Sequence, residues 1–400
     1  MFLLIFLVLE STIFGYPAWR ILSAAEWSAS TTTAVTAAVV IAALLTPAYV
    51  VAIRAAPWPR AAREAFAWIT YLLLAVAGIL FGVFLLRDLV WSGLWLLDLI
   101  GLLSLPTLEA LQIHHLNLAT AGVGCLLTLY GTIGAHLVPR VRHVEVPIKD
   151  LPEALESMRI VQLSDLHVGP TIKRGFVSRL VDAVNALEPD VIVFTGDLAD
   201  GSAQSLADDV APLADLSCGY GPYFVTGNHE YYADPSGWMQ ALPGLGFELL
   251  LNEHRSIDWV SPEQSPEDAS SPARLIIGGI PDPTGQEVED KMPGHTPRPE
   301  AVFANAPEGV RLLLAHQPRA GVPAMAATGA ALTLSGHTHG GQLGLWRLLV
   351  RLQQPVVAGL ARRGEGWIYV SRGVGYWGPP CRLGAPSEIT CLRLVRAPQA

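Results

Sequence analysis

Three stretches of about 20 residues with almost no charge limit what this chain can become. They lie near 34–54, 66–86 and 117–138. A helix rises about 1.5 Å per residue, so roughly 20 apolar residues in a row match the hydrocarbon core of a bilayer. Helices also satisfy their own backbone groups, which a lipid environment demands. Residues 2–19 form a fourth stretch, interrupted by Glu10. No basic region precedes it and no small-residue cleavage site follows, so it reads as an anchor rather than a cleaved leader. The segment WSGLWLLDLIGLL (91–103) is short and holds Asp98, and reads as interfacial or as an extension of the preceding helix.

Orientation follows from the arginines. Arg54, Arg60 and Arg63 separate the second and third spans, and Arg140 and Arg142 follow the last. Cytoplasmic loops collect Arg and Lys. Four spans put both groups on one side, so the expectation is a protein of the cell (inner) membrane with its N-terminus and C-terminal domain in the cytoplasm. His114, His115 and His136 read as interfacial residues without a ligand, the first two in a polar connection.

Residues 1–140 hold six acidic and six basic residues, so the whole net charge of -9 falls in the remainder. An acidic second half excludes a phosphate-tracking surface for a nucleic acid polymer. The four cysteines show no metal spacing and read as free thiols, a Cys381–Cys391 bridge being the alternative.

From about residue 145 the pattern changes to short apolar runs that alternate with helical stretches, the signature of a layered α/β domain. Each of five runs ends in residues that bind metals: RIVQLSDLH (159–167), DVIVFTGD (190–197), YGPYFVTGNHE (220–230), VRLLLAHQP (310–318) and AALTLSGHTHGG (330–341). Five of the eleven histidines sit at these points: His167, His229, His316, His337 and His339. Open α/β sheets bind ligands beyond the carboxyl ends of their strands. The pair His337 and His339, two residues apart at a strand end, is expected to suit two ions better than one. The glycines at 336, 340 and 341 would let the backbone turn sharply and leave room for a phosphate.

The ordered motifs SDLH, GDLAD, GNHE, AHQP and GHTH resemble those of the calcineurin-like, dinuclear metallophosphoesterases over roughly 157–395. The membrane half, HTHGGQ and the tail RGVGYWGPPCRLGAPSEIT look like that family's bacterial membrane-anchored branch. The resemblance implies an α/β fold: an N-terminal transmembrane α-helical region (1–140), a linker (141–156) and a four-layer α/β/β/α sandwich (157–400).

The resemblance also implies two divalent metal ions. One would be held by Asp165, His167, Asp197 and His339, the other by Asp197, Asn228, His316 and His337. Manganese is the first choice, with iron, zinc or magnesium as alternatives. A hydroxide bridging the two ions would attack phosphorus, with Asn228 stabilising the developing charge. His229 would protonate the leaving oxygen and Asp200 would orient it.

The expected function is a membrane-anchored phosphodiesterase or pyrophosphatase. Its partners would be the lipid bilayer and a phosphate-ester substrate, a lipid head group or lipid-linked phosphate. The alternatives are a cyclic-nucleotide or dinucleotide phosphodiesterase and a catalytically silent metal-binding sensor or scaffold. The silent version is disfavoured because no expected ligand is missing. Nothing resembles a phosphoprotein groove. IPDPTGQEVEDKMPGHTPRPE, with Asp282 and His295, reads as solvated loop, SPEQSPEDASSPA (261–273) as a mobile surface insertion, and Arg319 as a candidate phosphate contact.

Overall fold

The computed structural model describes residues 2–49, 58–106, 108–261 and 273–398. Arg54, the end of the 34–54 stretch and all of the Pro/Ser-rich insertion except Ser261 and Ala273 lie outside the described residues. The chain divides into two compact units. One comprises Met1–Ala135, Leu343–Leu345 and Gly378–Gly384, the other His136–Gln342, Trp346–Trp377 and Ala385–Ala400.

The first unit is built on α1 (Phe2–Leu22), α2 (Ala29–Ala48), α3 (Arg60–Leu99) and α4 (Ala110–His136). α2, α3 and the Leu111–His136 part of α4 are long and apolar enough to cross a membrane. No proline interrupts residues 60–99, so α3 runs on for 40 residues and absorbs residues 91–99 of the 91–103 segment as an extension of its own apolar stretch. At about 1.5 Å per residue it is roughly twice as long as a hydrocarbon core is thick. α4 begins before the expected stretch and takes His114 and His115 into the helix, not into a polar connection. Polar side chains tie three helices together. Asp88 of α3 accepts hydrogen bonds from Arg20 (2.7 Å) and Tyr16 of α1, while Arg87 donates to Asn117 of α4. Such bonds join helices where lipid offers no competing partner. Cys381 is fully buried here beside Ala75 and Ile79, and all four cysteines are free thiols.

The second unit carries the sheets. In chain order its elements are β1 (Arg140–Ile148), β2 (Arg159–Leu163), α5 (Arg174–Asn185), β3 (Val191–Phe194), α6 (Ala203–Val210), β4 (Tyr220–Phe224), α7 (Asn228–Ala233), α8 (Pro235–Gly244), β5 (Glu248–Leu249), β6 (Glu253–Trp259), β7 (Ala273–Gly279), α9 (Pro299–Val302), β8 (Val310–Leu314), α10 (Pro318–Thr328), β9 (Leu332–Ser335), α11 (Trp346–Gln353), β10 (Gly359–Arg363), β11 (Gly366–Val370) and β12 (Glu388–Arg396). Two six-stranded sheets result, ordered β1-β12-β2-β3-β4-β5 and β10-β11-β9-β8-β7-β6.

The central strands β2–β3–β4 and β7–β8–β9 run parallel, and their sequences are apolar without alternation because both faces are covered. Val191 and Val193 meet Leu312, Leu314 and Leu334 between the sheets. On the outer face of the second sheet, Leu313 packs with Ala324 and Met325 of α10. On the outer face of the first, Phe194 stacks on Phe224 and meets Phe247 edge to face. The expected linker 141–156 is a correction. Residues 140–148 form β1, paired in parallel with β12, and Val146, Ile148 and Leu155 are buried in the core between the sheets. From Val144 to Ile148 the strand alternates inward apolar residues with Glu145 and Pro147, and an edge strand with one covered face needs no more.

Candidate metal centre

The site forms where strands from both sheets end together. Asp165 and His167 follow β2, Asp197 follows β3 and Asn228 opens α7 just past β4. His316 follows β8 and His337 and His339 follow β9, from the other sheet. Five of these seven residues hold a left-handed backbone: Asp165 (φ 55°), His167 (50°), Asp197 (58°), His337 (70°) and His339 (49°). A non-glycine residue there costs about 1–3 kcal/mol and persists only where the surroundings over-determine it. Replacing them by glycine would relieve the backbone and remove the side chains, so the strain marks where side-chain chemistry is retained.

Three donor groups result. Asp165, His167 and His339 form one, Asp197, His316 and His337 another, and His167, Asp197 and His229 a third, each with its ligand atoms within 4.8 Å of one another. His337 and His339 therefore fall in different groups. In the first, His167 Nε2 lies 3.1 Å from His339 Nε2, and His339 Nε2 lies 3.6 Å from Asp165 Oδ1. In the second, His316 Nε2 lies 3.1 Å from Asp197 Oδ2, 3.2 Å from Asn228 Oδ1 and 3.2 Å from His337 Nδ1. Asp197 Oδ2 is also 3.7 Å from His167 Nε2, so one oxygen stands between both groups. Its partner Oδ1 is occupied, accepting the His229 N–H at 2.9 Å.

These donors fit metal ions. His316 Nδ1 donates to the Thr195 carbonyl at 2.7 Å and His167 Nδ1 donates to Asp200 at 2.9 Å. When the rings are neutral, as binding a metal requires, the bare Nε2 of each faces inward. Asp165 Oδ2 is buried without a hydrogen-bond partner among the described residues. Lone pairs gathered this closely call for a cation, and the mixture of imidazole, carboxylate and amide oxygen suits a divalent transition ion. Burial pushes the Asp165 carboxyl up, whereas the neighbouring His316 and His229 override burial and hold Asp197 well below the usual range.

Asp200 does more than expected. Its Oδ1 accepts from His229 Nδ1 at 2.6 Å and from His167 Nδ1 at 2.9 Å, clipping two imidazoles with one atom. Burial alone would lower His229, but Asp197 and Asp200 raise it to about 9. His229 is half-buried, with Tyr232 at 5.2 Å and Trp377 at 6.1 Å between ring centroids, both of them exposed.

The glycine reading needs correction. A Cβ on Gly336 would lie 1.9 Å from Ser164 Oγ and 2.2 Å from Asp165 Oδ2, so the space it leaves is filled by a candidate ligand rather than a phosphate. The solvated reading of Asp282 and His295 is overturned as well, since both are buried. Asp282 accepts from Gln317 Nε2 at 2.8 Å and caps Thr284, and His295 bonds the Tyr231 hydroxyl at 2.8 Å. A loop rich in Pro and Gly looks solvated in sequence, but these partners lie far along the chain. Arg319 is exposed, and its Nε donates to Gln317 Oε1 at 2.7 Å.

Glu230 was missed. Fully buried, it accepts from the backbone N–H groups of Gly227 (2.7 Å), Asp197 (3.0 Å) and Leu198 (2.8 Å), joining the GDLAD and GNHE loops. Its place three residues after Gly227, at a helix start, was the available signal.

The calcineurin-like phosphoesterase family profile matches residues 158–341. A transmembrane protein with metallophosphoesterase domain from Danio rerio is 40% identical over 279 residues, covering 69% of this chain and 62% of that protein. Its namesake in Bos taurus is 40% identical over 280 residues, with the same coverage of 69% and 62%. A Campylobacter jejuni metallophosphoesterase is 32% identical over 269 residues, 66% of each chain. The chain thus spans less than two thirds of the length of the two vertebrate relatives. Among solved structures, the calcineurin-like phosphoesterase YfkN from Bacillus subtilis aligns with a TM-score of 0.33 at 14% identity, over 58% of this chain and 80% of that one, a likeness too slight to carry an argument.

Proposed function

Because the chain belongs to the calcineurin-like phosphoesterase family, we propose that it is a membrane-anchored phosphohydrolase with a two-metal centre, cleaving a phosphodiester or pyrophosphate. One observation carries the reading: Asp197 Oδ2 stands between two donor groups, 3.7 Å from His167 Nε2 and 3.1 Å from His316 Nε2. Asp165, His167, Asp197 and His339 would hold one ion, and Asp197, Asn228, His316 and His337 the other, with manganese first among the candidates. Bound divalent ions supply an activated water and neutralise phosphate charge.

The chain's own side chains do the rest. Asn228 directs its amide at the phosphate oxygens. His229, gripped through Nδ1 by Asp200, presents Nε2 to the leaving oxygen and protonates it. Asp200 is a positioning residue that keeps this imidazole in one tautomer. The membrane region of residues 1–140 keeps the catalytic domain at the bilayer surface, on the cytoplasmic side by the arginine asymmetry. Exposed Tyr232 and Trp377 beside His229 favour a substrate with an apolar body, a lipid head group or lipid-linked phosphate.

Purified full-length chain in nanodiscs should bind about two divalent ions and hydrolyse an activated phosphodiester. Asp197→Asn should abolish both, whereas His229→Ala should lose turnover and keep metal. Full activity of Asp197→Asn refutes the shared-ligand centre.

A further inference from the structure

Helix α11 has its apolar side turned outward. Leu348, Leu349 and Leu352 are 60%, 51% and 84% exposed, and no residue of the helix is buried. With Leu345 they follow the i, i+3, i+4, i+7 spacing of a single helical stripe, which ordinarily faces a core. Among the described residues from 137 onward, ten large apolar side chains are exposed, and four of them make up this stripe. Arg347 and Arg351 lie on the other side of the same helix, both exposed. Apolar and basic faces back to back on a short surface helix match the chemistry of a bilayer interface, with leucines in the acyl boundary and guanidinium groups among lipid phosphates.

The chain supplies the occupant. Leu343–Leu345, immediately before α11, fold with the apolar helices of the first unit, where Leu345 lies against Gly82. From that segment the chain enters α11 without an intervening loop. A bilayer is therefore tethered to α11 at high effective concentration, as a free partner protein is not.

We infer that α11 is an interfacial helix that lays Leu348, Leu349 and Leu352 into the lipid surface. This rests on the membrane reading of the first unit and not on the identity of the substrate. The helix is joined to the candidate metal centre by packing. A Cβ on Gly341 would lie 2.5 Å from the Arg347 Cα, so the first turn of α11 rests on backbone two residues past His339. Lipid contact at α11 thus braces the loop that carries His337 and His339.

The test uses the full chain in nanodiscs of phosphatidylcholine and phosphatidylglycerol, with a nitroxide attached through Leu348→Cys, Leu352→Cys or, on the opposite face, Arg351→Cys. Background labelling of the four native thiols is read from the unsubstituted chain. Collision rates with oxygen, which concentrates in lipid, and with a water-soluble nickel chelate are compared. Positions 348 and 352 should favour oxygen several-fold, and position 351 should favour the chelate. Chelate access at 348 and 352 equal to that at 351 would place the stripe in water and overturn the inference. Shielding of 348 and 352 from both reagents would also overturn it, showing a second copy or another protein on the stripe. Turnover of a soluble phosphodiester is measured on the same samples. An active enzyme with a wet helix sinks only the interfacial helix, and an inactive unsubstituted chain counts only against the phosphohydrolase reading.

Discussion

Asp200 offers the sharpest test of how the centre is assembled, because one oxygen holds both a candidate ligand and the candidate proton donor. Asp200→Asn keeps the shape and removes the charge that accepts from His167 Nδ1 at 2.9 Å and His229 Nδ1 at 2.6 Å. The two imidazoles override burial and hold the Asp200 carboxyl far below the usual carboxylate range, so both bonds are charge-assisted in the native protein. Bonds of that kind contribute about 1.5–3 kcal/mol each, and Asp200 keeps some water contact, with its side chain 20% exposed. Loss of a residue that orients a metal-binding histidine typically lowers metal affinity or activity about 10–100-fold. That range corresponds to roughly 1.4–2.8 kcal/mol.

The expected outcome has two parts. Manganese affinity, measured by calorimetry on the full chain, should fall by about tenfold or more for the ion nearest His167. The turnover number on a soluble phosphodiester should fall within the same range. The His229→Ala background separates the two arms. There the turnover effect of Asp200→Asn should shrink, because Asp200 no longer has a donor to position, and the loss of metal affinity should persist. Unchanged metal affinity in Asp200→Asn would refute the grip on His167. Fully additive turnover losses in the double variant would refute the positioning of His229.

Two further predictions need only loading and melting measurements. Gly336→Ala should abolish metal loading and lower stability by about 1–3 kcal/mol, because the new Cβ would sit 1.9 Å from Ser164 Oγ and 2.2 Å from Asp165 Oδ2; normal metal content would contradict the packing. Glu289, held at about 2 chiefly by the Gly294 N–H and then by Thr296 and Arg298, has a folded value below its unfolded one. Its contribution is therefore present above the ordinary glutamate range, about pH 4.3, and is lost as pH falls towards about 2. The melting difference between the native chain and Glu289→Gln should be largest near neutral pH and vanish in acid, and a difference that grows in acid would refute it.

The parts of the molecule legible in sequence were those governed by neighbours along the chain. The strand ends could be read because VIVF and VRLLL are apolar on both faces and stop at polar residues. The separate destinations of His337 and His339 come instead from their left-handed backbone, because alternation along extended chain would put residues i and i+2 on one face. Glu230 escaped notice, and Asp282 and His295 read as solvated, because their burial depends on partners far away. Asp282 needs Gln317, and His295 needs Tyr231. Residues 141–156 looked like a linker because the run is short and its pairing partner, β12, lies at the far end of the chain.

By itself, then, the sequence determined the division into an apolar helical region and a layered α/β domain. Twenty uncharged residues in a row have one inexpensive backbone solution in lipid, and alternating strands and helices have few ways to pack. It also marked the candidate donors, since Asp, Asn and His at strand ends are visible in one dimension. Tertiary structure alone decided that Asp165, Asp197 and Asn228 from one sheet meet His316, His337 and His339 from the other. Strand order and the stacking of two sheets are long-range choices that no local periodicity encodes. Only that stacking brings Asp197 Oδ2 between His167 and His316, whereas the β2-β3-β4 order within the first sheet sets Asp200 to grip His167 and His229 together.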